Sequence, residues 1–86
     1  METGSIVISK AGRDIGRRFI VLKLEGDCAY LSDGDLRKVD KPKKKKIKHI
    51  QKTNSVSQLV KDRLENGGQI ENFEIRQALS DFEPDD

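Results

Sequence analysis

Residues 4–22 read GSIVISKAGRDIGRRFIVL and contain two apolar runs separated by a polar segment. The first run, Gly4–Ser9, is short and rich in β-branched residues, which favours a β-strand. The second run, Arg18–Leu24, is also typical of a strand. Gly12 and Gly16 frame the polar segment, and glycines there indicate a turn with positive φ or a close backbone approach. The sequence therefore predicts a strand, a basic loop and a second strand.

The pattern of short strands continues towards the middle of the chain. Cys28–Ser32 is predicted as a third strand, and Asp33-Gly34 is a hairpin signal in which Gly34 supplies the turn. Leu36–Val39 is predicted as a fourth strand. Four or five short strands in about fifty residues predict a mainly β fold, either a small bent sheet or an SH3-like barrel. Lys43–Ile50, beyond Pro42, is expected to cross the edge of the barrel without joining its core.

The C-terminal part has helical periodicity. Ser55 and Gln58 fit a capping box at the start of one helix, which Gly67-Gly68 ends. Asn72 is predicted to cap a second helix. Each helix has only about three turns and is too short to be stable alone. They could pack on each other, pack on the barrel, or become ordered on a partner. We therefore divide the chain into a barrel with a basic extension, residues 1–52, and two acidic helices with a frayed tail, residues 53–86.

The net charge of +2 conceals a strong asymmetry between these two parts. Residues 1–52 contain fourteen Lys or Arg and seven Asp or Glu, whereas residues 53–86 contain three and eight. The net charges are therefore +7 and -5. Such an asymmetry indicates a polyanionic partner for the basic part. The acidic part is expected to avoid that partner or to bind a different one, such as a protein.

The residue types argue against several functional classes. His49 is the only histidine and Cys28 the only cysteine, so the sequence predicts neither a metal site nor a disulfide. The Gly12–Gly16 segment lacks the spacing of a nucleotide-binding loop, and no helix follows it. We therefore expect no enzyme activity and no cofactor. The N-terminus resembles no signal peptide, and no apolar stretch could span a membrane, so we expect a cytoplasmic monomer.

The candidate binding residues form two basic groups. Arginine in the loop suits bidentate contact with phosphate, and the lysine run follows strands directly, although such runs can also be merely solvated. Few aromatic residues accompany them, which favours recognition of the backbone and shape of structured RNA over stacking on single-stranded bases. The loop group is Lys10, Arg13, Arg17 and Arg18, and the second group is Arg37, Lys38, Lys41, Lys43, Lys44, Lys45, Lys46, Lys48 and His49.

Residues 4–22 resemble a KOW motif, which consists of a strand, a basic loop with a glycine, and a second strand. Together with DGDLRKV at 33–39, KPKKK at 41–45 and Lys48-His49, they resemble the fourteen-e family of large-subunit ribosomal proteins, which is typical of archaea and eukaryotes. The whole chain looks like the small bacterial KOW-domain RNA-binding proteins related to that family, which are common in Firmicutes. The resemblance covers residues 4–50.

This resemblance implies an SH3-like barrel and a ribosome-associated protein that binds the backbone of ribosomal RNA in the large subunit. It places Gly16 at the glycine of the KOW loop and makes the basic loop residues phosphate contacts. Residues 43–48 would extend that surface, and His49 would stack or hydrogen-bond there. Two alternatives stay open at this point. SH3-like barrels also serve as protein-interaction adaptors, and KOW domains also occur in transcription factors.

Overall fold

A computed structural model describes residues 1–82, so the predicted fraying of the tail at residues 83–86 lies outside the described residues. The described part contains five strands, a short 3-10 helix and two α-helices, which confirms the prediction of a mainly β fold followed by two helices. The elements in chain order are β1 (Ser5–Ser9), β2 (Arg18–Glu25), β3 (Cys28–Ser32), β4 (Lys43–Lys46), the 3-10 helix (Ile47–His49), β5 (Ile50–Val56), α1 (Gln58–Glu65) and α2 (Asn72–Ser80).

The five strands form one antiparallel sheet in the order β4-β3-β2-β1-β5. β4 and β5 are consecutive in the chain, yet they occupy opposite edges of the sheet. A flat sheet of this width would measure about 19 Å between its edge strands, whereas three residues of 3-10 helix span only about 6 Å. The connection Ile47–His49 therefore requires the sheet to curl strongly. Within residues 1–82, β4 and β5 do not pair with each other, so the sheet is open.

The sheet buries apolar side chains on both of its faces, because neighbouring residues of a strand point in opposite directions. Phe19 and Ile20 are adjacent in β2, and each is at most 1% exposed. Phe19 belongs to a cluster formed by the sheet residues Val7, Phe19, Val21, Ala29, Leu31 and Ile50. Ile20 belongs to a second cluster, between sheet and helices, which consists of Ile6, Ile20, Val60, Ile70, Ile75 and Phe82.

Of the three arrangements considered for the helices, the structure shows packing on the sheet. Val60 of α1 and Ile75 of α2 are fully buried in the second cluster. β5 runs from Ile50 to Val56 and so extends across the boundary expected after residue 52. Removing residues 53–86 would therefore delete half of an edge strand and uncover Ile6 and Ile20.

The segment Leu36–Val39 is not a strand, which contradicts the sequence prediction. β3 and β4 are joined by residues 33–42, so Asp33-Gly34 does not form a two-residue hairpin. The Asp33 carboxylate accepts hydrogen bonds from the backbone N–H groups of Asp35 (3.0 Å) and Arg37 (2.8 Å). Such local side-chain bonds compete with a strand ladder, which explains the irregular loop.

The lysine run also differs from expectation. Lys43–Lys46 is a true edge strand that pairs with β3, with Tyr30 opposite Lys44. Ile50, which was expected to lie outside the core, is 4% exposed and packs in the first cluster. The prediction that this segment merely crosses the edge was therefore wrong.

Both helix starts lie one or two residues from their predicted positions. Ser57 caps α1, and its hydroxyl accepts a hydrogen bond from the Val60 N–H, because Ser55 is still part of β5. Glu71, in a capping box with Glu74, caps α2. Asn72 is instead the first residue of α2, and its side-chain oxygen accepts a hydrogen bond from the Val39 N–H at 2.8 Å. This contact attaches the 33–42 loop to α2.

Gly34 is the point at which the 33–42 loop meets α2 most closely. Its φ is +73°, and an added Cβ would lie 2.4 Å from the backbone oxygen of Asn72. Gly12 and Gly16, in the first loop, also have positive φ values of 88° and 85°. At Gly16, in contrast, an added Cβ would meet no atom within 4 Å. Gly34 therefore satisfies both a conformational and a packing requirement.

Replacing Gly34 with Ala is expected to lower the free energy of unfolding by about 3 kcal/mol, since positive φ and overpacking each contribute. Urea denaturation followed by circular dichroism measures this loss. Gly26→Ala is the matched control, because Gly26 has a φ of +59° but open space around it. The control should lose only about 1 kcal/mol. Equal losses in the two variants would contradict the close packing of Gly34 against α2.

Candidate nucleic-acid interface

The 10–17 loop is held by Asp14, an acidic residue inside the basic group. Its carboxylate accepts a hydrogen bond from the Ser9 hydroxyl at 2.7 Å. The backbone closes the same loop, because the Gly16 N–H donates to the Ser9 carbonyl and the Arg17 N–H donates to the Asp14 carbonyl. The loop is therefore a fixed turn whose outer side presents the exposed Arg13.

Asp14 also joins this loop to β4 through two lysines. Its carboxylate lies 2.6 Å from Lys43 Nζ and 2.8 Å from Lys45 Nζ. Burial opposes ionisation of Asp14, but the hydrogen bonds from Lys43, Lys45 and Ser9 outweigh it and hold the pKa of this carboxyl well below its usual range. Lys45 is 9% exposed, and its ammonium also donates to the Ala11 carbonyl. A phosphate could reach Lys45 only if this ion pair were broken.

Asp33 holds the first half of the 33–42 loop, residues 33–37, in the same way, and this segment is the 33–37 loop below. One oxygen of its carboxylate binds the two backbone N–H groups already described, and the other lies 3.0 Å from Arg17 Nη2. The Ser32 hydroxyl donates to the Arg37 carbonyl at 2.7 Å. These bonds fix a loop from which Leu36 and Arg37 project, and Leu36 is 67% exposed.

A cavity of about 300 Å³ lies between the two loops and the adjoining ends of β2 and β4. Four of its lining residues are cationic and two are anionic, so it carries an excess of two positive charges. The Asp14 carboxylate partly neutralises the charge of Lys43, and the Asp33 carboxylate partly neutralises the charge of Arg17. Within residues 1–82, neither Arg13 nor Arg37 forms an ion pair. The lining residues are Arg13, Asp14, Arg17, Phe19, Asp33, Leu36, Arg37 and Lys43.

A second, more open depression adjoins this cavity. Arg17 and Asp33 contribute to both, and Arg18 and Arg76 line only the second. The Arg18 guanidinium lies 5.2 Å from the centre of the Phe82 ring, and Arg76 Nη1 donates to the Gly34 carbonyl at 2.7 Å. Five arginines, counting Arg13 and Arg37, are thus concentrated around the two loops.

The remaining basic residues of the predicted site line neither of the two depressions. Lys10 lies beside His49, because the Lys10 N–H donates to the His49 carbonyl at 2.8 Å. Lys44 lies 3.7 Å from a Glu25 oxygen, at the β2–β3 end of the sheet. The residues that are exposed and line neither depression are Lys10, Lys38, Lys41, Lys44, Lys46, Lys48 and His49.

Six residues that line the two depressions were absent from the sequence-based site: Asp14, Phe19, Asp33, Asp35, Leu36 and Arg76. Acidic residues repel a polyanion, so the sequence-based site contains neither Asp14 nor Asp33. Asp14, however, lies between two loop glycines, and this position is a signal for loop closure. Arg76 is 42 residues from the carbonyl it binds, and no local pattern shows such a contact.

Among residues 1–82, no three His, Cys, Asp or Glu side chains are grouped as a metal ion would require. The two α-helices of this part are too short and too polar to span a membrane. Burial and the Asp27 carboxylate raise the pKa of the Cys28 thiol.

Comparison with known proteins adds no assignment to this geometry. No protein-family model matches the chain, and no curated protein matches it.

Asp14→Asn is expected to lower the free energy of unfolding by about 3 kcal/mol, because it leaves Lys45 buried without its counter-charge. Ser9→Ala is the milder control, since it removes one hydrogen bond to the carboxylate but no charge. Urea denaturation at neutral pH measures both losses. A loss in Asp14→Asn no larger than in Ser9→Ala would contradict the role of Asp14 as the counter-charge.

The same residue predicts a dependence of stability on pH. The pKa of Asp14 is lower in the folded than in the unfolded state, so its contribution is complete above the unfolded pKa. That contribution is lost as the pH falls below about 4 towards the folded value. Urea titrations at a series of acidic pH values should show a steeper loss of stability in the wild type than in Asp14→Asn. Parallel curves would contradict the assignment.

Proposed function

We propose that this chain binds RNA, specifically ribosomal RNA of the large ribosomal subunit, through the arginine-lined cavity and the exposed lysines around it. The observation that carries the proposal is the pair Arg13 and Arg37. Within residues 1–82 these two guanidinium groups have no carboxylate partner, and they flank a cavity between two internally braced loops. Unpaired arginines on a braced surface suit phosphate oxygens, which guanidinium groups bind in bidentate fashion.

The hydrogen bonds that hold the two loops favour binding in a second way. A cation on a mobile loop loses conformational entropy when it binds, whereas a preorganised one loses less. The hydrogen bonds to Asp14 and Asp33 fix both loops before any partner arrives. The two acids thus reduce the net charge of the surface while preserving the geometry of its arginines.

The proposed fold is a partly open SH3-like barrel of the KOW type. The strand order, with the first strand between the second and the last, and the short 3-10 connection from β4 to β5 support this interpretation. The 10–17 loop then corresponds to the basic loop of the KOW resemblance. This correspondence favours RNA, and ribosomal RNA in particular, over other polyanions.

We propose a binding role without catalysis. At neutral pH the Asp14 carboxyl stays ionised and its charge is engaged by two lysines, while the Cys28 thiol has a raised pKa and stays protonated. Catalytic groups instead need a pKa near the working pH or an activated nucleophile.

A protein partner is a second proposal, for the helices only. Leu59 of α1 is 47% exposed and Phe73 of α2 is 62% exposed, in a part of the chain with net negative charge. A basic partner with an apolar patch would match both features.

Sedimentation with ribosomes tests the ribosomal proposal. The protein should sediment with the large subunit at low salt and be released as salt rises, because phosphate contacts exchange with counterions. A chain that stays in the free fraction even at low salt would rule out the ribosomal proposal.

Charge reversal tests the surface. Arg13→Glu combined with Arg37→Glu should weaken RNA binding at least about tenfold and reduce the slope of log affinity against log salt by about two. Arg17 and Arg18 are unsuitable for this purpose, since they contact Asp33 and Phe82 within the fold. The control, Lys23→Glu with Lys52→Glu, changes the net charge equally, and both side chains are exposed and line neither depression. Equal loss in both double variants would show that only the overall charge matters.

A further inference from the structure

The cavity between the 10–17 and 33–37 loops has an interior that phosphate contacts do not explain. Phe19 and Leu36 line it together with Arg13 and Arg37. We propose that this cavity takes one unpaired, unstacked nucleotide, so that the protein prefers RNA with a bulge or loop to a continuous duplex. The proposal rests on the RNA-binding function proposed above and specifies its substrate.

Leu36 is the first reason. Its side chain is 67% exposed at the cavity wall, where it gains little from folding. Its exposure is imposed by the loop, because Asp33 binds the N–H groups on both sides of it, at Asp35 and Arg37. An apolar side chain held towards solvent beside a cavity offers a contact for the face of a base.

The size and charge of the cavity are the second reason. A volume of about 300 Å³ is at the lower end of small-ligand sites and matches a group of the size of one nucleotide. A nucleotide joins a base with flat, apolar faces to a phosphate, and the cavity is lined by the apolar Phe19 and Leu36 together with arginines. Guanidinium planes also stack on unpaired bases.

A continuous duplex would not use this arrangement. Its bases are stacked inside the helix, and their edges lie in grooves that offer no face to Leu36. An unpaired nucleotide has already lost part of its stacking, so placing it in the cavity costs less free energy. The cavity thus adds selectivity for local RNA structure to the binding that the surrounding cations supply.

The experiment compares two RNA hairpins that differ at one position. One contains a single unpaired nucleotide, tried with each of the four bases, and the other contains the complement that pairs it. Fluorescence anisotropy should show that the wild type binds a bulged hairpin about tenfold more tightly, as expected for burial of one Leu-sized apolar contact. Leu36→Ala should lose most of this preference, because it weakens binding of the bulged hairpin more than binding of the paired one.

Ile15→Ala is the matched control, because Ile15 is 66% exposed on the 10–17 loop but does not line the cavity. It should keep the preference, and both variants should keep the thermal midpoint of the wild type. Equal binding of bulged and paired hairpins by the wild type would overturn this inference but leave RNA binding intact, as would a full preference in Leu36→Ala. Binding of neither hairpin nor ribosomal RNA would instead overturn the proposed function itself.

Discussion

β2 buries both of its faces, and the rest of the structure depends on this constraint. Phe19 and Val21 pack among the sheet residues, while Ile20 between them packs under the helices. A fully buried Ile side chain contributes about 1.5–3 kcal/mol relative to an exposed one. Without α1 and α2, Ile6 and Ile20 would face water. The two helices are therefore a structural layer that packs on the sheet.

The proposed binding surface depends on two acids in a similar way. Asp14 joins the 10–17 loop to β4, and Asp33 braces the 33–37 loop and holds Arg17. Each acid neutralises part of the nearby positive charge, yet each also fixes the backbone from which an unpaired arginine projects. Affinity for a polyanion depends on where cations are held as well as on their number. Under the proposed function, this consideration accounts for Asp14 and Asp33 within the basic part of the chain.

The sequence predicted those features that local patterns record. β-Branched runs identified β1 and β2, and the short run before Asp33-Gly34 identified β3. Helical periodicity identified α1 and α2, and loop glycines indicated positive φ. The uninterrupted apolar run Phe19–Leu22 also indicates how β2 is buried. A strand buried on one face alternates apolar and polar residues, whereas one buried on both faces does not. That run could have predicted that the helices pack on the sheet.

Other features depend on contacts between distant residues and could not be predicted from local patterns. Lysine has a low strand propensity, so β4 was missed, yet Lys43 and Lys45 are stabilised there by Asp14, 29 and 31 residues earlier in the chain. For the same reason the prediction treated residues 43–48 as one surface. In the strand, Lys43 and Lys45 turn to Asp14 while Lys44 and Lys46 face solvent.

α2 contacts the 33–42 loop, and this contact links the basic part of the chain, residues 1–52, to the acidic part, residues 53–86. Asn72 binds the Val39 N–H, Arg76 binds the Gly34 carbonyl, and Gly34 itself leaves no room for a side chain against the helix. A displacement of α2 would therefore move the loop that positions Leu36 and Arg37. The two helices are also joined to each other, because the buried Glu74 of α2 pairs with Arg63 of α1 at 2.6 Å. α2 thus supports the loop from which Leu36 and Arg37 project.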